Sequence, residues 1–403
     1  MSALDSLWLQ HHASAQCHIC IVTETYPPEV NGAAMTLAHL VAGIRTHGHA
    51  VSVVRPRQQS VGRPSGSDDA RMTLVPGLPL PGYKGVHIGM PARRLLQDCW
   101  TQHRPDVVYV ATEGPLGWSA VCIARRLQIP VFSGFHTNFH RYAKHYRLGW
   151  LRPLIWRYLC RFHNRTHGTF VPSVALRDQL QAVGVRNVSV LGRGVDSGLF
   201  TPQRRCVALR RMWGLAEREL AVLYVGRVAP EKNIALAIAA YRAMQQCHST
   251  VKFIVVGDGP QRATLQKAHP DLIFCGVQRG EQLARHYASA DVFLFPSETE
   301  TFGNVTLEAM ASGLVVVAYN YAAAHTHIQH GKTGMLVPYG ESQAFVDAAV
   351  KLAQEPQSLD QIRQQARAYV TSVDWQSVVD RFVTLLTEAL GERHPTPMPS
   401  LTY

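Results

Sequence analysis

The sequence predicts an α/β protein made of two doubly wound parallel sheets in tandem, and three observations support this fold class. Short apolar segments, typical of buried strands, alternate with segments whose apolar residues recur at helical spacing. This alternation runs twice along the chain, with a pause rich in turn residues at 196–202. The 403 residues, 46% of them hydrophobic, suffice for two domains with separate cores.

The predicted elements follow the same order of strand and helix in both halves. Ligands of such sheets bind beyond the carboxyl ends of the strands, so we expect two units that face each other across a cleft. Residues 57–80 are rich in Gly, Pro, Ser and Asp and are predicted to form a loop. The predicted strands are 17–23, 50–55, 107–111, 131–133, 220–224, 252–256, 272–274, 292–295 and 315–318, and the predicted helices of the first half are 33–47 and 117–127.

The positive charge of the chain is confined to one half. Residues 1–200 contain 21 Lys and Arg against 10 Asp and Glu, a net charge of +11, whereas the remainder has 19 against 18, a net charge of +1. A basic half beside a near-neutral half indicates an anionic partner on one side: a membrane surface, a polyanionic acceptor or nucleic acid. A solvated basic face is the alternative.

Composition also predicts the compartment. No apolar run approaches the eighteen or so residues that cross a bilayer, and residues 1–16 lack the apolar core of a signal peptide. Eight cysteines without a disulfide rhythm fit a reducing environment, so we expect a cytoplasmic protein. Cys17 and Cys20 lie three apart on a predicted strand and are interpreted as structural thiols rather than as a metal or redox site.

Residues 296–313, P-S-E-T-E-T-F-G-N-V-T-L-E-A-M-A-S-G, carry two carboxylates between a predicted strand and a predicted helix. Asn304 is the predicted N-cap, so the first amides of the helix would attract an anion. Glu300 in the loop and Glu308 one turn into the helix would flank that anion with acceptors. This arrangement suits a diphosphate with hydroxyl groups on both sides, as in a nucleotide sugar. The alternative is two solvated surface carboxylates.

The segment V-G-R-V-A-P-E-K-N follows the first strand of the second half and places two cations, Arg227 and Lys232, at its carboxyl end. A diphosphate there would meet a bidentate fork and a point charge. Because the chain contains no D-x-D triplet, these cations and a helix N-terminus would replace a metal. An ordinary surface Arg and Lys are the alternative. The G-x-G at Gly257 continues to Arg262 instead of a third glycine, which argues against a redox cofactor.

The first half supplies further candidates. Gly32, in E-V-N-G, precedes a predicted helix and would let backbone approach a ligand closely, and His136 directly follows a predicted strand. Residues 148–163 form a basic amphipathic pattern that either lies in a membrane headgroup region or packs on a core with a solvated Arg face. In the second half, His325, His327 and His330 lack the spacing of a zinc site, so no metal is expected.

Together these motifs resemble those of the retaining glycosyltransferases of family 4, which have the two-domain GT-B fold. The resemblance covers E-V-N-G, F-H-T, R-G-V-D, G-R-x-x-x-E-K-N, G-D-G-P and the segment around Glu300 and Glu308. It implies that Glu300 contacts the transferred sugar, Glu308 the ribose, and Arg227 with Lys232 the diphosphate. The implied catalytic residues are His136, Arg227, Lys232 and Glu300, and the implied donor-binding residues are Gly32, Arg227, Lys232, Gly276, Val277, Glu300, Phe302, Gly303, Asn304 and Glu308.

The resemblance also implies the reaction: transfer of a hexose with retention from GDP-mannose or a UDP-sugar, without a metal or other cofactor, the leaving phosphate accepting the acceptor's proton. H-T-N-F-H, H-Y-R-L-G-W and R-F-H-N-R-T are similar to the glycolipid-forming subgroup, which implies a lipid-linked hydroxyl acceptor, an enzyme peripheral to the inner membrane face and no nucleic-acid partner. Thr326 stands where relatives carry an acid, so the donor sugar stays open. A soluble transferase for a polysaccharide or small metabolite, an epimerase and a non-catalytic nucleotide-binding module are the alternatives.

The predicted domain boundaries combine both lines of reasoning. A tail at 1–16 precedes an acceptor domain at 17–198 and a nucleotide-sugar domain at 199–373. By resemblance, a helix at 374–391 crosses back to the first domain, and a tail follows at 392–403.

Overall fold

The computed structural model describes residues 16–27, 29, 31–57, 71–79, 87–136, 152–217, 219–248 and 250–391. The described chain forms two compact units. Unit 1 contains the described residues up to Gly192 together with the end of the last helix from Val378, and unit 2 contains Arg193–Ser377. The predicted tails, 1–15 of the first and 392–403 of the second, lie outside the described residues.

Unit 1 is built on a seven-stranded parallel sheet of order β3-β2-β1-β6-β7-β8-β9. Strand order reverses between β1 and β6, which pair with Val22 opposite Val110. This reversal is the topological switch point of the sheet, where ligands of open α/β sheets bind. The strands of unit 1 are β1 His18–Val22, β2 Ala50–Pro56, β3 Met72–Val75, β4 Gly77–Pro79, β5 His87–Gly89, β6 Val107–Val110, β7 Val131–Gly134, β8 Gly168–Val171 and β9 Val188–Val190.

Helices cover both faces of this sheet. Side chains of β1 and β6 are buried on each face, so both faces need apolar partners. The helices of unit 1 are α1 Gly32–Thr46, α2 Arg93–Gln102, α3 Pro115–Arg126, α4 Arg152–His163 and α5 Val174–Ala182. The last helix of the described chain, α14 Trp375–Gly391, places Val379, Phe382 and Leu386 in the same core as Leu40. Gly43 in α1 makes room for this helix, since a Cβ there would overlap the Val379 side chain.

Unit 2 repeats the architecture with a six-stranded parallel sheet of order β12-β11-β10-β13-β14-β15. Its switch point lies between β10 and β13. The strands are β10 Ala221–Val225, β11 Lys252–Val256, β12 Ile273–Gly276, β13 Val292–Phe295, β14 Val315–Tyr319 and β15 Met335–Val337. The helices between Arg193 and Ser377 are α6 Val207–Met212, α7 Ile234–Cys247, α8 Arg262–Ala268, α9 Gly280–Ser289, α10 Asn304–Ala311, α11 Ala322–His327, α12 Ser342–Gln354 and α13 Pro356–Val370.

The predicted fold class of two tandem parallel-sheet units is confirmed, and the strand at 252–256 is found with the predicted bounds. The predicted loop at 57–80 is wrong in part. Met72–Val75 pairs with β2, and Gly77–Pro79 pairs with His87–Gly89. The turn-rich residues 58–70 lie outside the described part. Composition therefore missed short strands that depend on neighbours for their hydrogen bonds.

Candidate functional site

The site in unit 2 lies at its switch point, beyond the carboxyl ends of β10 and β13. Lys232 follows β10 and Glu300 follows β13, and the Lys232 Nζ donates to Glu300 Oε1. Only 16% and 15% of these two side chains are exposed. The pair is therefore mostly buried and held in one geometry, unlike a pair of solvated surface groups.

Three further contacts orient the Glu300 loop. Ser297 Oγ donates to Glu300 Oε1 at 2.7 Å, and the Tyr321 hydroxyl donates to the Glu300 carbonyl at 2.6 Å. Lys232 Nζ also donates to the Thr299 carbonyl at 3.1 Å. Charge-assisted and neutral hydrogen bonds thus fix both the backbone and the carboxylate, which preorganises the group for a ligand.

Arg227 lies in the loop after β10, with a third of its side chain exposed. Its Nη1 donates to Glu231 Oε1 at 3.2 Å, and the buried Tyr224 hydroxyl donates to the Arg227 carbonyl at 2.9 Å. Burial, with the charges of Glu300 and Glu231, raises the pKa of Tyr224. These contacts place the Arg227 and Lys232 segments around the same strand end, as the sequence predicted.

The loop from Glu300 leads into α10 through Gly303, which is the N-cap in the left-handed region with φ of 93°. Glycine adopts this conformation without steric cost. The prediction of Asn304 as N-cap is wrong, because Asn304 is the first helical residue and no side chain caps the helix. Phe302 is buried and packs edge-on against His327, with ring centroids 5.7 Å apart. This packing anchors the loop.

Glu308 lies on α10, where the Tyr287 hydroxyl donates to its Oε2 at 2.9 Å. Part of Glu308 reaches solvent, but protein atoms surround its carboxylate, and this burial raises its pKa to about 7. Tyr287 is fully buried in α9, and burial raises its pKa well above the ordinary value. Tyr287 does not donate to the other carboxylate oxygen, Glu308 Oε1.

Two further predicted donor residues of unit 2 lie at the sheet edge, two strands from β10: Gly276 is the last residue of β12, and Val277 follows it. The Gly276 carbonyl accepts from Gly257 N at 2.8 Å, and Val277 is 51% exposed. The G-D-G-P glycines support this arrangement: a Cβ at Gly257 would overlap the Gly226 carbonyl oxygen. The motif therefore lets two loops approach closely.

Two predicted residues lie in unit 1. Gly32 is the first residue of α1, which Asn31 caps by accepting from Ala34 N at 2.8 Å. His136 follows β7 and is 9% exposed. The neighbouring predicted segment, Thr137 onward, lies outside the described residues.

A buried hydrogen bond of 2.8 Å joins His136 Nε2 to the hydroxyl of Tyr109, on the neighbouring strand β6. Gly134 makes this possible, since a Cβ there would overlap the Tyr109 hydroxyl and lie 2.5 Å from His136 Nε2. Tyr109 in turn meets Phe382 of α14 edge-on at 4.9 Å. The last helix thus packs against the residue that orients His136.

The residues that orient these groups were not predicted from the sequence: Ser297, Tyr321, Tyr287, Tyr109 and Gly134. Ser297 and Gly134 are close to recognised motif residues, so proximity to the motif is a signal that could have found them. The tyrosines lie on other elements of the fold, and no local pattern indicates them.

The three histidines considered as zinc ligands each contact another protein group. His325 Nδ1 contacts Asn320 Oδ1 at 2.7 Å, His327 Nδ1 contacts the Tyr369 hydroxyl at 3.0 Å, and His330 Nδ1 contacts the Leu336 carbonyl at 2.9 Å. Across the described ranges, no group of three His, Cys, Asp or Glu side chains could hold a metal ion. Cys20 is buried, which raises its thiol pKa to about 11, as expected for a structural thiol.

Helix α4 presents a basic and aromatic face. Leu154 is 68% and Tyr158 40% exposed, and Arg157 and Arg161 lie on the exposed side, while Phe162 is buried in the core. Residues 148–151 of the predicted amphipathic segment lie outside the described part. Among the described helices, none is both long and apolar enough to cross a membrane.

The tandem sheets, with cations after one central strand and glutamates after its neighbour, define a glycosyltransferase of the GT-B class. Residues 219–355 match the family model described as "Glycosyl transferases group 1", and residues 30–199 match "Glycosyltransferase Family 4". The chain therefore belongs to the family 4 glycosyltransferases, and the predicted recognition and enzyme class are confirmed.

Named relatives agree with this assignment. The chain is 33% identical to a GDP-mannose-dependent alpha-mannosyltransferase of Mycobacterium tuberculosis (strain CDC 1551 / Oshkosh), over 93% of this chain and 97% of the relative. It is 30% identical to an alpha-monoglucosyldiacylglycerol synthase of Streptococcus pneumoniae, over 80% of this chain and 75% of the relative. Among solved structures, sucrose-phosphate synthase from Thermosynechococcus elongatus shares the fold with a TM-score of 0.75 at 17% identity, covering 94% of this chain and 100% of that one.

Proposed function

We propose that this glycosyltransferase moves mannose from GDP-mannose, with retention and without a metal, to a hydroxyl group of a lipid-linked acceptor at the membrane surface. The observation that carries the proposal is the Lys232–Glu300 pair at the switch point of unit 2. Support for the donor comes from the mycobacterial GDP-mannose-dependent alpha-mannosyltransferase, and support for the acceptor comes from the streptococcal alpha-monoglucosyldiacylglycerol synthase.

In the proposed reaction, the bond between the sugar C1 and the diphosphate oxygen breaks. Arg227 and Lys232 stabilise the negative charge that develops on the departing GDP. The acceptor hydroxyl forms its bond to C1 on the same face, and its proton passes to the leaving phosphate oxygen. Glu300 accepts hydrogen bonds from sugar hydroxyl groups, Glu308 accepts one from the ribose, and His136 contacts the reacting sugar. Gly32, Gly276 and Val277 contribute backbone to the donor site, together with Phe302, Gly303 and Asn304.

Two measurements test the donor and the reaction. In a thermal-shift panel of GDP, UDP and ADP, GDP should raise the melting temperature most, because a ligand that binds only the native state stabilises it. Incubation with GDP-mannose and a diacylglycerol-type lipid should then release GDP much faster than incubation with GDP-mannose alone. A changed sugar on retained nucleotide would instead indicate epimerisation, and binding without any turnover would indicate a non-catalytic module.

The membrane part of the proposal rests on the exposed face of α4. Each basic residue near an anionic leaflet contributes about 1 kcal/mol of attraction. Co-sedimentation with anionic vesicles at low salt should therefore capture the protein, and Arg157→Glu with Arg161→Glu should reduce the captured fraction. If the wild-type protein does not bind vesicles and transfers mannose to a water-soluble acceptor, the proposed lipid acceptor is wrong.

We expect the affinity for GDP-mannose to depend on pH through Glu308. Because its pKa is raised to about 7, the carboxylate is mostly protonated at pH 6 and mostly ionised at pH 8. If the ribose hydroxyl requires the ionised form, affinity should rise about tenfold from pH 6 to pH 8. Calorimetric titration with GDP-mannose measures this, since a sugar diphosphate does not ionise in that range. The control Glu308→Gln should bind weakly with a flat profile; an unchanged slope would contradict the assignment.

Gly134→Ala should disturb the catalytic histidine. The added methyl group overlaps the Tyr109 hydroxyl and crowds His136 Nε2, so the hydrogen bond between them must break. We expect kcat to fall at least about tenfold, the scale of one lost positioning hydrogen bond of about 1.4 kcal/mol. Tyr109→Phe is the matched control, because it removes the hydrogen bond without adding volume. Wild-type kcat in both variants would show that this bond does not position His136.

A further inference from the structure

The switch point of unit 1 carries a charged cluster that the proposed donor chemistry does not use. Glu24 follows β1 and Glu113 follows β6, the two strands between which the sheet order reverses. In unit 2 the equivalent positions after β10 and β13 hold Lys232 and Glu300. Parallel sheets bind ligands in the crevice at this point, so its occupation by two carboxylates in unit 1 calls for an explanation.

The two carboxylates lie close together. The Glu24 carboxylate lies against the Cα of Gly114, since a Cβ there would overlap both of its oxygens, and Gly114 is adjacent to Glu113 in the chain. Leu116 N, in the first turn of α3, donates to Glu24 Oε1 at 3.3 Å. Burial and the neighbouring charge of Glu113 raise the pKa of Glu24 to about 7. Glu24 keeps part of its surface exposed.

In the described part of the chain, Glu113 and His163 each have a buried polar atom that makes no hydrogen bond. Glu113 and His163 are 4% and 1% exposed, and Glu113 Oε1 lies 3.5 Å from His163 Nε2. This distance is too long for a hydrogen bond. Within the described part of the chain, neither atom has a hydrogen-bond partner. His163 is nonetheless fixed in orientation, because its Nδ1 contacts Ser133 Oγ at 2.9 Å.

Tyr158 connects the cluster to the exposed face of α4. Its hydroxyl donates to the Glu113 carbonyl, and burial together with the charges of Glu113 and Glu24 raises its pKa to about 12. The side chain is 40% exposed beside Leu154 and Arg157. A molecule held at this face would therefore lie close to Glu113.

We propose that Glu24, Glu113 and His163 form a subsite for hydroxyl groups of the acceptor headgroup. A hydroxyl group both donates and accepts, so it can donate to Glu113 Oε1 while interacting with His163 Nε2, and a second hydroxyl can donate to Glu24. Two carboxylates repel a phosphate, which argues against an anionic group at this position. The assignment rests on the proposed transfer to a lipid hydroxyl and names the side chains that recognise it.

The test compares acceptor and donor kinetics in Glu113→Gln and Glu24→Gln. Each variant should raise the acceptor KM at least about tenfold, which corresponds to about 1.4 kcal/mol. The KM for GDP-mannose, and its slow hydrolysis without acceptor, should stay within twofold. Asp178→Asn is the matched control, because it removes an exposed carboxylate from α5 of the same unit. An unchanged acceptor KM in both variants, or equal losses in donor hydrolysis, would overturn the subsite.

A binding measurement separates this subsite from the proposed reaction. Saturation-transfer NMR with a short-chain monoacylglycerol should show binding to the wild-type protein that Glu113→Gln weakens at least tenfold. Such binding without any mannosyl transfer would contradict the proposed function but would still support the subsite. No binding to the wild-type protein, or equal Glu113-dependent binding of a short-chain phosphatidylethanolamine without free hydroxyl groups, would overturn the hydroxyl assignment. Melting curves check folding, and Glu24→Gln carries the test if Glu113→Gln does not fold.

Discussion

Glu300→Gln is expected to reduce kcat by a factor of about 10² to 10³, while the affinity for GDP alone changes little. The side chain is held by Lys232 and Ser297, and its backbone carbonyl accepts from Tyr321, so the carboxylate has one geometry before ligand arrives. Such preorganised groups act on the transition state more than on ground-state binding. Because the transferred sugar is absent from GDP, losing a sugar contact should not weaken binding of the bare nucleotide.

Single-turnover rates with GDP-mannose measure the loss of turnover, and calorimetry with GDP measures the affinity for the bare nucleotide. Glu341→Gln, at an exposed position before α12, is the matched control for the loss of one negative charge and should behave like the wild-type enzyme. Equal losses in turnover and in GDP affinity would place Glu300 on the nucleotide and contradict its assignment to the sugar.

Lys232→Ala and Arg227→Ala are expected to reduce the rate by a factor of about 10² to 10³ each, by analogy with removing one preorganised stabiliser of developing charge. The two variants should differ in one respect. Lys232 is mostly buried and ion-paired with Glu300, so its removal also leaves that carboxylate without its cation. Arg227 is a third exposed and pairs with Glu231, so its removal disturbs the site less.

Rates with GDP-mannose and saturating acceptor test this, with Lys267→Ala on the exposed side of α8 as the matched loss of a cation. Because Lys232 and Glu300 are in contact, the double variant Lys232→Ala with Glu300→Gln should lose less than the product of the two single losses. Near-wild-type activity in both single variants would remove the proposal that these cations replace a metal.

The part of the site that lies within one motif was predictable from the sequence. Glu300 and Glu308 fall on the predicted loop and helix, and Arg227 and Lys232 fall after the predicted strand, because each pair is positioned by local turns. The N-cap shows the limit of such reasoning. Asn304 has a favourable side chain for capping, but Gly303 takes the position, since the loop needs a left-handed residue there.

The sequence alone determined the two tandem sheets, the family and the chemical character of the residues proposed to bind the donor. These properties depend on periodicity and on spacing of a few residues, which one stretch of chain contains in full. Tertiary structure alone decided which groups meet. Lys232 contacts Glu300 across 68 positions, Tyr109 orients His136 across 27, and His163 lies beside Glu113. Such contacts depend on strand order, and strand order results from the packing of the whole sheet.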